Sequence, residues 1–310
     1  MISELFSVTV LIGVLTSGIR LATPYLYAAI GETFGQRSGV LNLGVEGQML
    51  LAAFAAFYVS LVTGNLWFGL LAATLVGALL GLAMAFVTVN LQAQQGVSGI
   101  GFYLFGLGMS DLLFQKLLGR VETISGFSRV PLPILGGIPV LGKIFFDQNV
   151  LVYGAYLLVP IAWFVLNKTT LGLKIRSVGE NPEAADSLGV SVARVRYFTI
   201  ILGGALSGIA GASLSIALLN VFQQNMTSGL GFIAVALVYF GAWRPWGVLA
   251  GALLFSMVNS LQLWIQVLAV PIPSDIAVMM PYVLTIVVLI VSVSRVRPPA
   301  ALTRPFEREE

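Results

Sequence analysis

Uncharged apolar residues run through this chain in long blocks, and its charges fall in short intervals between them. Residues 47–110 and 197–243 contain no Asp, Glu, Lys or Arg. A helix crosses a bilayer with about 20 apolar residues, so each block has room for two crossings. The apolar segments lie at roughly 5–30, 46–62, 66–90, 97–114, 148–167, 197–219, 228–242, 245–266 and 277–294. Stretches such as FTIILGGALSGIAGASLSIALL, residues 198–219, are apolar on every helical face, unlike the alternating strands of a membrane barrel. The pattern predicts an all-α polytopic membrane protein with about 8–10 transmembrane helices, forming a single transmembrane domain over residues 1–310. The opening MISELFSVTVLIGVLTSGI has no positively charged lead and no small-residue cleavage pattern, so it reads as a retained first span.

The intervals between spans set the expected topology. Residues 115–147 hold PLPILGGIP together with Lys116, Arg120, Glu122 and Arg129, too rich in Pro and Gly for a helix and too polar for lipid. One span separates this loop from residues 168–196, so the two face opposite sides. By the same parity Arg244 and the tail at 295–310 join the second loop. That side collects Lys168, Lys174, Arg176, Arg194, Arg196, Arg244, Arg295, Arg297, Arg304 and Arg308, against Lys116, Arg120, Arg129 and Lys143 on the other. The excess of positive charge marks 168–196 and the tail as cytoplasmic and 115–147 as extracytoplasmic. The N-terminal side stays open, because GETFGQRSGVLNLGVEG at 31–47, with five glycines and Glu32, Arg37 and Glu46, argues against a continuous helix. It fits either a turn or a broken span beside a translocation path.

A weak internal repeat adds to the picture. NLWFGLLAATL (65–75) and RPWGVLAGALL (244–254) align Gly69 with Gly247 and Ala72 with Ala250 at a constant offset, which suggests two related halves. GxxxG spacings at Gly77/Gly81, Gly204/Gly208 and Gly247/Gly251 bare the backbone on one face and read as packing seams within the chain.

Composition then narrows the chemistry. Only 9% of residues are charged, and there is no Cys and no His, against about 25% charged in soluble domains. Common zinc sites, haem and iron–sulfur ligation, disulfides and a Ser-His-Asp triad are thereby set aside. No metal or cofactor is expected, and no basic stripe points to nucleic acid. Gly137, Gly142 and Lys143 mimic a phosphate loop, but Ile144 stands where Ser or Thr should be and Pro139 removes an amide. Gly229, Gly231 and Ala234 mimic a dinucleotide fingerprint inside an uncharged run, with no acidic residue about 20 positions on. Polar uncharged residues cluster at QQNMTS (223–228). Asn42, Gln48, Asn90 and Asn259 lie in or near spans, and this uncharged set favours a neutral solute, while single amides equally serve as bonds between helices; the candidate path residues are Asn42, Glu46, Gln48, Gln224 and Asn225.

The most structured polar stretch is SVGENPEAADSLGV, residues 177–190. Asn181 is a good N-cap, Pro182 suits the first helical position, Glu183 and Asp186 sit near the positive end, and Gly189 can take a left-handed C-terminal position. These signals predict a short helix of about two turns. Ala184, Ala185 and Leu188 would give it a small apolar face. That face is expected either to pack on the protein's own helix ends or to dock a soluble partner.

GENPEAADSLGV (179–190), followed by SGIAGA (207–212), resembles the cytoplasmic coupling segment of ATP-binding-cassette importer permeases of the branched-chain amino acid, ribose and nucleoside family. GETFGQRSGVLNLGVEGQMLLAAF (31–54) is similar to the N-terminal signature of the subgroup that works with basic-membrane-lipoprotein-type binding proteins, a subgroup associated with nucleosides. The resemblance implies a permease in the plasma membrane of a bacterium or archaeon. It further implies a second related permease, a cytoplasmic ATPase gripping Glu180, Asn181, Pro182, Ala184, Ala185, Leu188 and Gly189, and an extracytoplasmic binding protein. ATP hydrolysis would belong to the partner, so this chain is not expected to be an enzyme. The alternative is an ion-coupled secondary transporter using Glu32, Arg37 and Glu46.

Overall fold

The computed structural model describes residues 7–133, 136, 138–268, 273–293 and 297–307. Gly137 of the phosphate-loop mimic, and Arg295 and Arg308 of the charge count, lie outside the described residues. The helices are α1 (Val8–Arg37), α2 (Val45–Thr63), α3 (Leu66–Ala85), α4 (Gln95–Leu113), α5 (Leu141–Phe145), α6 (Val150–Lys168), α7 (Thr170–Glu180), α8 (Pro182–Ser187), α9 (Val192–Ser213), α10 (Leu230–Phe240), α11 (Pro245–Val267) and α12 (Ser274–Val293). Single π-turns extend α3 to Asn90, α4 to Leu118 and α9 to Leu218. Strands β1 (Arg129–Pro131) and β2 (Asp147–Asn149) form one small antiparallel hairpin. Among the described residues seven helices are long and apolar enough to span a membrane, and two shorter apolar helices occur at Leu230–Phe240 and Asp275–Leu284.

The glycines explain how these helices approach one another. At the middle of the α3–α9 crossing, a methyl group on Gly77 would strike the Gly204 carbonyl oxygen and the Gly208 backbone, and one on Gly204 would strike the backbone of Gly77 and Gly81. The two GxxxG pairs thus face each other, as the packing reading expects. Gly31 of α1 meets Gly203, and Gly211 meets the Met49 carbonyl of α2. Helix α9 is therefore the central post, with α1, α2 and α3 pressed against it.

This packing corrects one expectation. Helix α1 runs unbroken for 30 residues through Gly31 and Gly35 to Arg37. Gly31 has its backbone against Gly203, and Gly35 faces the Val40 carbonyl, so these glycines serve close contact and not flexibility. The non-helical part is confined to residues 38–44.

The repeat is visible as architecture. Helix α1, an irregular segment, α2, a tight turn and α3 are followed later by α9, an irregular segment, α10, a tight turn and α11. The matched NLWFG and RPWGV stretches open α3 and α11, with Asn65 capping the first by accepting from Trp67 N–H and Arg244 standing at the N-cap position of the second. The two helices start at opposite ends of the bundle, so the halves are inverted. One end gathers α7, α8, Trp243 and the tail: Ala301 N–H donates to the Gly179 carbonyl, Thr303 N–H to the Gly39 carbonyl, and Arg37 Nε to the Trp243 carbonyl at 3.1 Å. The opposite end gathers the β-hairpin and the Thr123–Val221 bridge. The described parts of 115–147 and residues 168–196 thus flank α6 at its two ends.

The glycine seam yields a direct test. Gly204→Val inserts carbons where backbone already sits and should cost about 1–3 kcal/mol or more, seen as a lower midpoint in thermal unfolding of the detergent-solubilised chain. Gly101→Ala in α4, where nothing lies within 4 Å of the new methyl group, should leave the midpoint unchanged or raise it.

Candidate functional site

Two irregular segments enter the bundle from opposite ends and meet near its middle. Residues 38–44 fold back beside the last turns of α1. Val40 N–H donates to the Gly35 carbonyl, and Asn42 N–H donates to Glu32 Oε1 at 2.9 Å. Residues 219–229 come down from the other end, where Ile124 N–H bonds the Asn220 carbonyl and Phe222 packs on Phe54 and Phe114. Helices α2 and α10 therefore both begin inside the bundle. The level is fixed by Gly47, whose backbone touches Gly106 near the middle of α4.

At that level the two helix N-termini abut. A methyl group on Gly231 would strike the backbone of Glu46. The Glu46 carboxylate accepts from Gly229 N–H at 2.7 Å and from Gly231 N–H at 2.6 Å. The first N–H groups of a helix have no partner of their own, and the N-cap residue Gly229 has no side chain to supply one. Glu46, 1% exposed, closes that gap from the first turn of α2. This gives the dinucleotide look-alike a structural meaning: Gly229 adopts φ +91° to start α10, and Gly231 lets α2 approach.

Around Glu46 the buried polar groups form a linked set. Gln36 donates to Glu32 at 3.1 Å and accepts from the Trp243 indole at 2.7 Å. Asn42 donates to Gln48 at 3.2 Å and accepts from Gly44 N–H at 2.9 Å. Gln95 accepts from Leu41 N–H at 2.8 Å. Asn42, Glu46 and Gln48 are thus sealed within protein. Gln224 and Asn225 stand in another setting: with Gln223 and Ser228 they are exposed on the outer surface of the irregular segment. Asn225 and Ser228 take positive φ of 53° and 43°, a conformation uncommon for residues with a side chain. Within this segment Phe222, Met226 and Thr227 turn inward. The structure therefore separates the five candidate path residues into a buried brace and an open polar face. Gln36, Gln95 and Trp243, which sequence reasoning did not single out, belong to the brace. A polar residue next to a glycine-rich interval was the signal for Gln36.

At the α7–α8 end, the 177–190 stretch folds as its caps dictate. Asn181 Oδ1 accepts from Ala184 N–H at 2.9 Å, and Pro182 occupies the first turn. Gly189 has φ +82°, and the Gly189→Asp186 and Val190→Ala185 backbone bonds close the C-terminus, the left-handed glycine stop. The apolar face divides, which corrects the expectation that it is a single surface. Ala185 turns inward to the core cluster containing Ile175, Val178 and Val192 and is 3% exposed. Ala184 is exposed, and Leu188 is 85% exposed. Glu180, Asn181 and Gly189 are also exposed, while Pro182 is half-buried.

Comparison with known proteins decides the class. Residues 14–289 match the family described as branched-chain amino acid transport system / permease component. The chain belongs to this permease family. It is 38% identical to "Putative glucose ABC transporter permease protein TsgC13" of Haloferax volcanii, over 96% of this chain and 98% of the relative. It is 37% identical to the guanosine ABC transporter permease protein NupQ of Bacillus subtilis, over 92% and 93% of the two chains. It is also 37% identical to the nucleoside ABC transporter permease protein NupC of Lactococcus lactis, over 90% and 92%. No solved structure matches.

Replacing Glu46 by Ala should leave the buried Gly231 N–H and the part-buried Gly229 N–H without their acceptor, at about 1–3 kcal/mol for the buried group. The measurement is hydrogen exchange at the Gly229 and Gly231 amides, which should accelerate strongly in Glu46→Ala and less in Glu46→Gln, where one carbonyl acceptor remains.

Proposed function

We propose that this permease is the membrane-spanning subunit of an ATP-binding-cassette importer for nucleosides, embedded in the plasma membrane of a bacterium or archaeon. The observation that carries the coupling assignment is the capped helix α8, which presents Leu188, 85% exposed, at an end of the bundle outside the apolar spans. A single exposed apolar side chain is ordinary by itself, but this one stands on a capped helix in a chain whose relatives are named as ABC transporter permeases, and a cleft in a cytoplasmic ATPase would receive it. ATP hydrolysis is then the partner's chemistry. A second related permease completes the translocation path, and an extracytoplasmic binding protein delivers solute at the β-hairpin end.

The open polar face bears on the solute. Gln223, Gln224, Asn225 and Ser228 offer neutral donors and acceptors beside spans that hold no charge over 197–243. A charged solute would lose hydration without meeting counter-charge there, whereas a ribose and base have neutral hydrogen-bonding groups to offer. Two of the relatives named above carry guanosine or nucleoside in their names, which favours this class. The glucose named for the Haloferax relative keeps a neutral sugar as the second reading. Ion coupling through Glu32, Arg37 and Glu46 is disfavoured, because each is engaged: Glu32 by Gln36 and Asn42, Arg37 by the Trp243 carbonyl, Glu46 by two amides.

Two experiments test the reading. Leu188→Asp should insert in the membrane and fold normally but lose co-purification of the ATPase, since the charge falls on an exposed contact surface. Ala185→Asp should instead lower thermal stability, because it buries an unpaired charge at a cost of several kcal/mol; retention of the ATPase by a well-folded Leu188→Asp would refute the docking role. In vesicles holding the complete complex, uptake of labelled guanosine should require ATP and be outcompeted by unlabelled nucleosides but not by leucine. ATP-dependent glucose uptake without nucleoside uptake would move the assignment to the sugar.

A further inference from the structure

A basic cleft opens where α6 ends, between the C-terminus of α1, helix α7 and the turn into α11. It encloses about 830 Å³ and is lined by Arg37, Arg176 and Arg244, with Trp163 and Trp246 at its sides. Among the described residues no carboxylate lines it. Among the described residues the ion pairs are Arg120–Glu122 and Arg129–Asp147, so none of the three arginines is neutralised at contact distance. Glu180 acts on Arg37 from outside the cleft and lines the neighbouring groove against the tail. Arg37 is held by its Nε bond to the Trp243 carbonyl, and Arg176 by a long 3.4 Å bond to the Gly172 carbonyl of its own helix. Lys168, 5.9 Å from the Trp163 ring, adds a fourth cation beside the mouth.

This cleft does not end at the helix termini. Trp246 also lines a second groove of about 330 Å³, almost wholly apolar, that runs between α1, α6 and α11. The walls are continuous along both helices. On α6, Trp163 of the basic cleft is followed one turn back by Val159 and then Ala155; on α11, Trp246 is followed by Leu249 and Leu253. From Asn167 to Ala155 the path covers on the order of 18 Å at the helical rise, a length suited to an acyl chain. Exposed Trp at 37% and 50% beside the cations is the side-chain composition of a membrane–water boundary. Basic pockets between helices at that boundary suit anionic lipid headgroups, and guanidinium forks match phosphate oxygens.

We propose that the cleft between α6 and α11 is a binding site for an anionic phospholipid, with its phosphate among Arg37, Arg176 and Arg244 and one acyl chain along Val159, Leu249 and Leu253. A soluble anion would use the arginines but not the apolar groove, and an acidic protein surface could not follow the groove into the bilayer. The lipid joins α1, α6, α7 and α11, whose turn at Trp243 is bonded to the brace around Glu46. It therefore bears on the same junction as the coupling end without contacting α8.

The test uses the full chain, purified with its partner subunits in mild detergent and examined by native mass spectrometry after exposure to phosphatidylglycerol or phosphatidylcholine. Phosphatidylglycerol should be retained about tenfold better. The double variant R176Q/R244Q should reduce it to the phosphatidylcholine level, and Leu249→Trp, which fills the groove and leaves the arginines in place, should also abolish retention. Equal retention of both lipids would overturn the proposal. So would displacement of the lipid by millimolar inorganic phosphate with no effect of Leu249→Trp, which would make the site one for soluble anions. Loss of the ATPase from R176Q/R244Q with unchanged phosphatidylglycerol binding would assign the arginines to protein docking and overturn it as well.

Discussion

Two helix ends of the same polarity point at each other in the middle of the bundle, and one carboxylate stands between them. The N-termini of α2 and α10 each carry unpaired N–H groups and the positive end of a helix dipole. In lipid there is no water to satisfy the former or screen the latter. Glu46 answers both needs from a single position. It lies in the first turn of α2, and its two oxygens accept from Gly229 and Gly231 at the start of α10. Without that contact the Gly229 and Gly231 N–H groups at the start of α10 would lose their acceptor.

Everything around the junction is arranged to keep it dry and close. Glycines at 31, 77, 81, 203, 204, 208 and 211 let α1, α2 and α3 approach α9 until backbones touch, so attraction comes from close packing, since lipid offers helices no hydrophobic gain for associating. The amides of Gln36, Asn42, Gln48 and Gln95 then tie residues 38–44 into place. The result is a rigid floor beneath Gln223, Gln224 and Asn225. Polar side chains left exposed at this level need either water or a second protein surface, which is the arrangement of a path shared between two subunits.

Local signals were legible in the sequence and relational ones were not. Asn181, Pro182 and Gly189 specify a helix start and stop through bonds that span only a few residues, and all of them form as the residue types require. The long uncharged blocks announced the spans for the same reason: burial in lipid is a property of one segment at a time. Glycine was harder to read, because Gly31 and Gly35 have the composition of a break but the role of a contact, and only the position of Gly203 and Val40 distinguishes the two. Ala184 and Ala185 are identical in type, yet one faces water and the other faces Val192. Arg37, Arg176 and Arg244 are far apart in the chain, and nothing short of the fold brings them to one cleft. Glu46 was visible as a charge near a span, but its function depends on two amides more than 180 positions away.

The distribution of bonds also explains how an event at the coupling end can reach the polar face. Gly179, just before α8, accepts from Ala301, and Gly39 accepts from Thr303, so the tail clips α7 to the 38–44 segment. Arg196, buried at 2% exposure, donates to the Ser38 carbonyl, and Ser38 bonds Thr199 of α9. That segment is fixed at both ends, by the clip at Gly39 and by Glu46 at the junction, with Asn42 pinned to Glu32 between them. The bonds at Gly39, Asn42 and Glu46 leave few unheld residues between the tail clip and the junction. On the proposed reading, a pull on α8 by an ATPase would arrive at Glu46 and hence at the start of α10, where Ser228 and Asn225 lie immediately upstream. The strained φ values of these two residues fall at the place where such a displacement has to be absorbed.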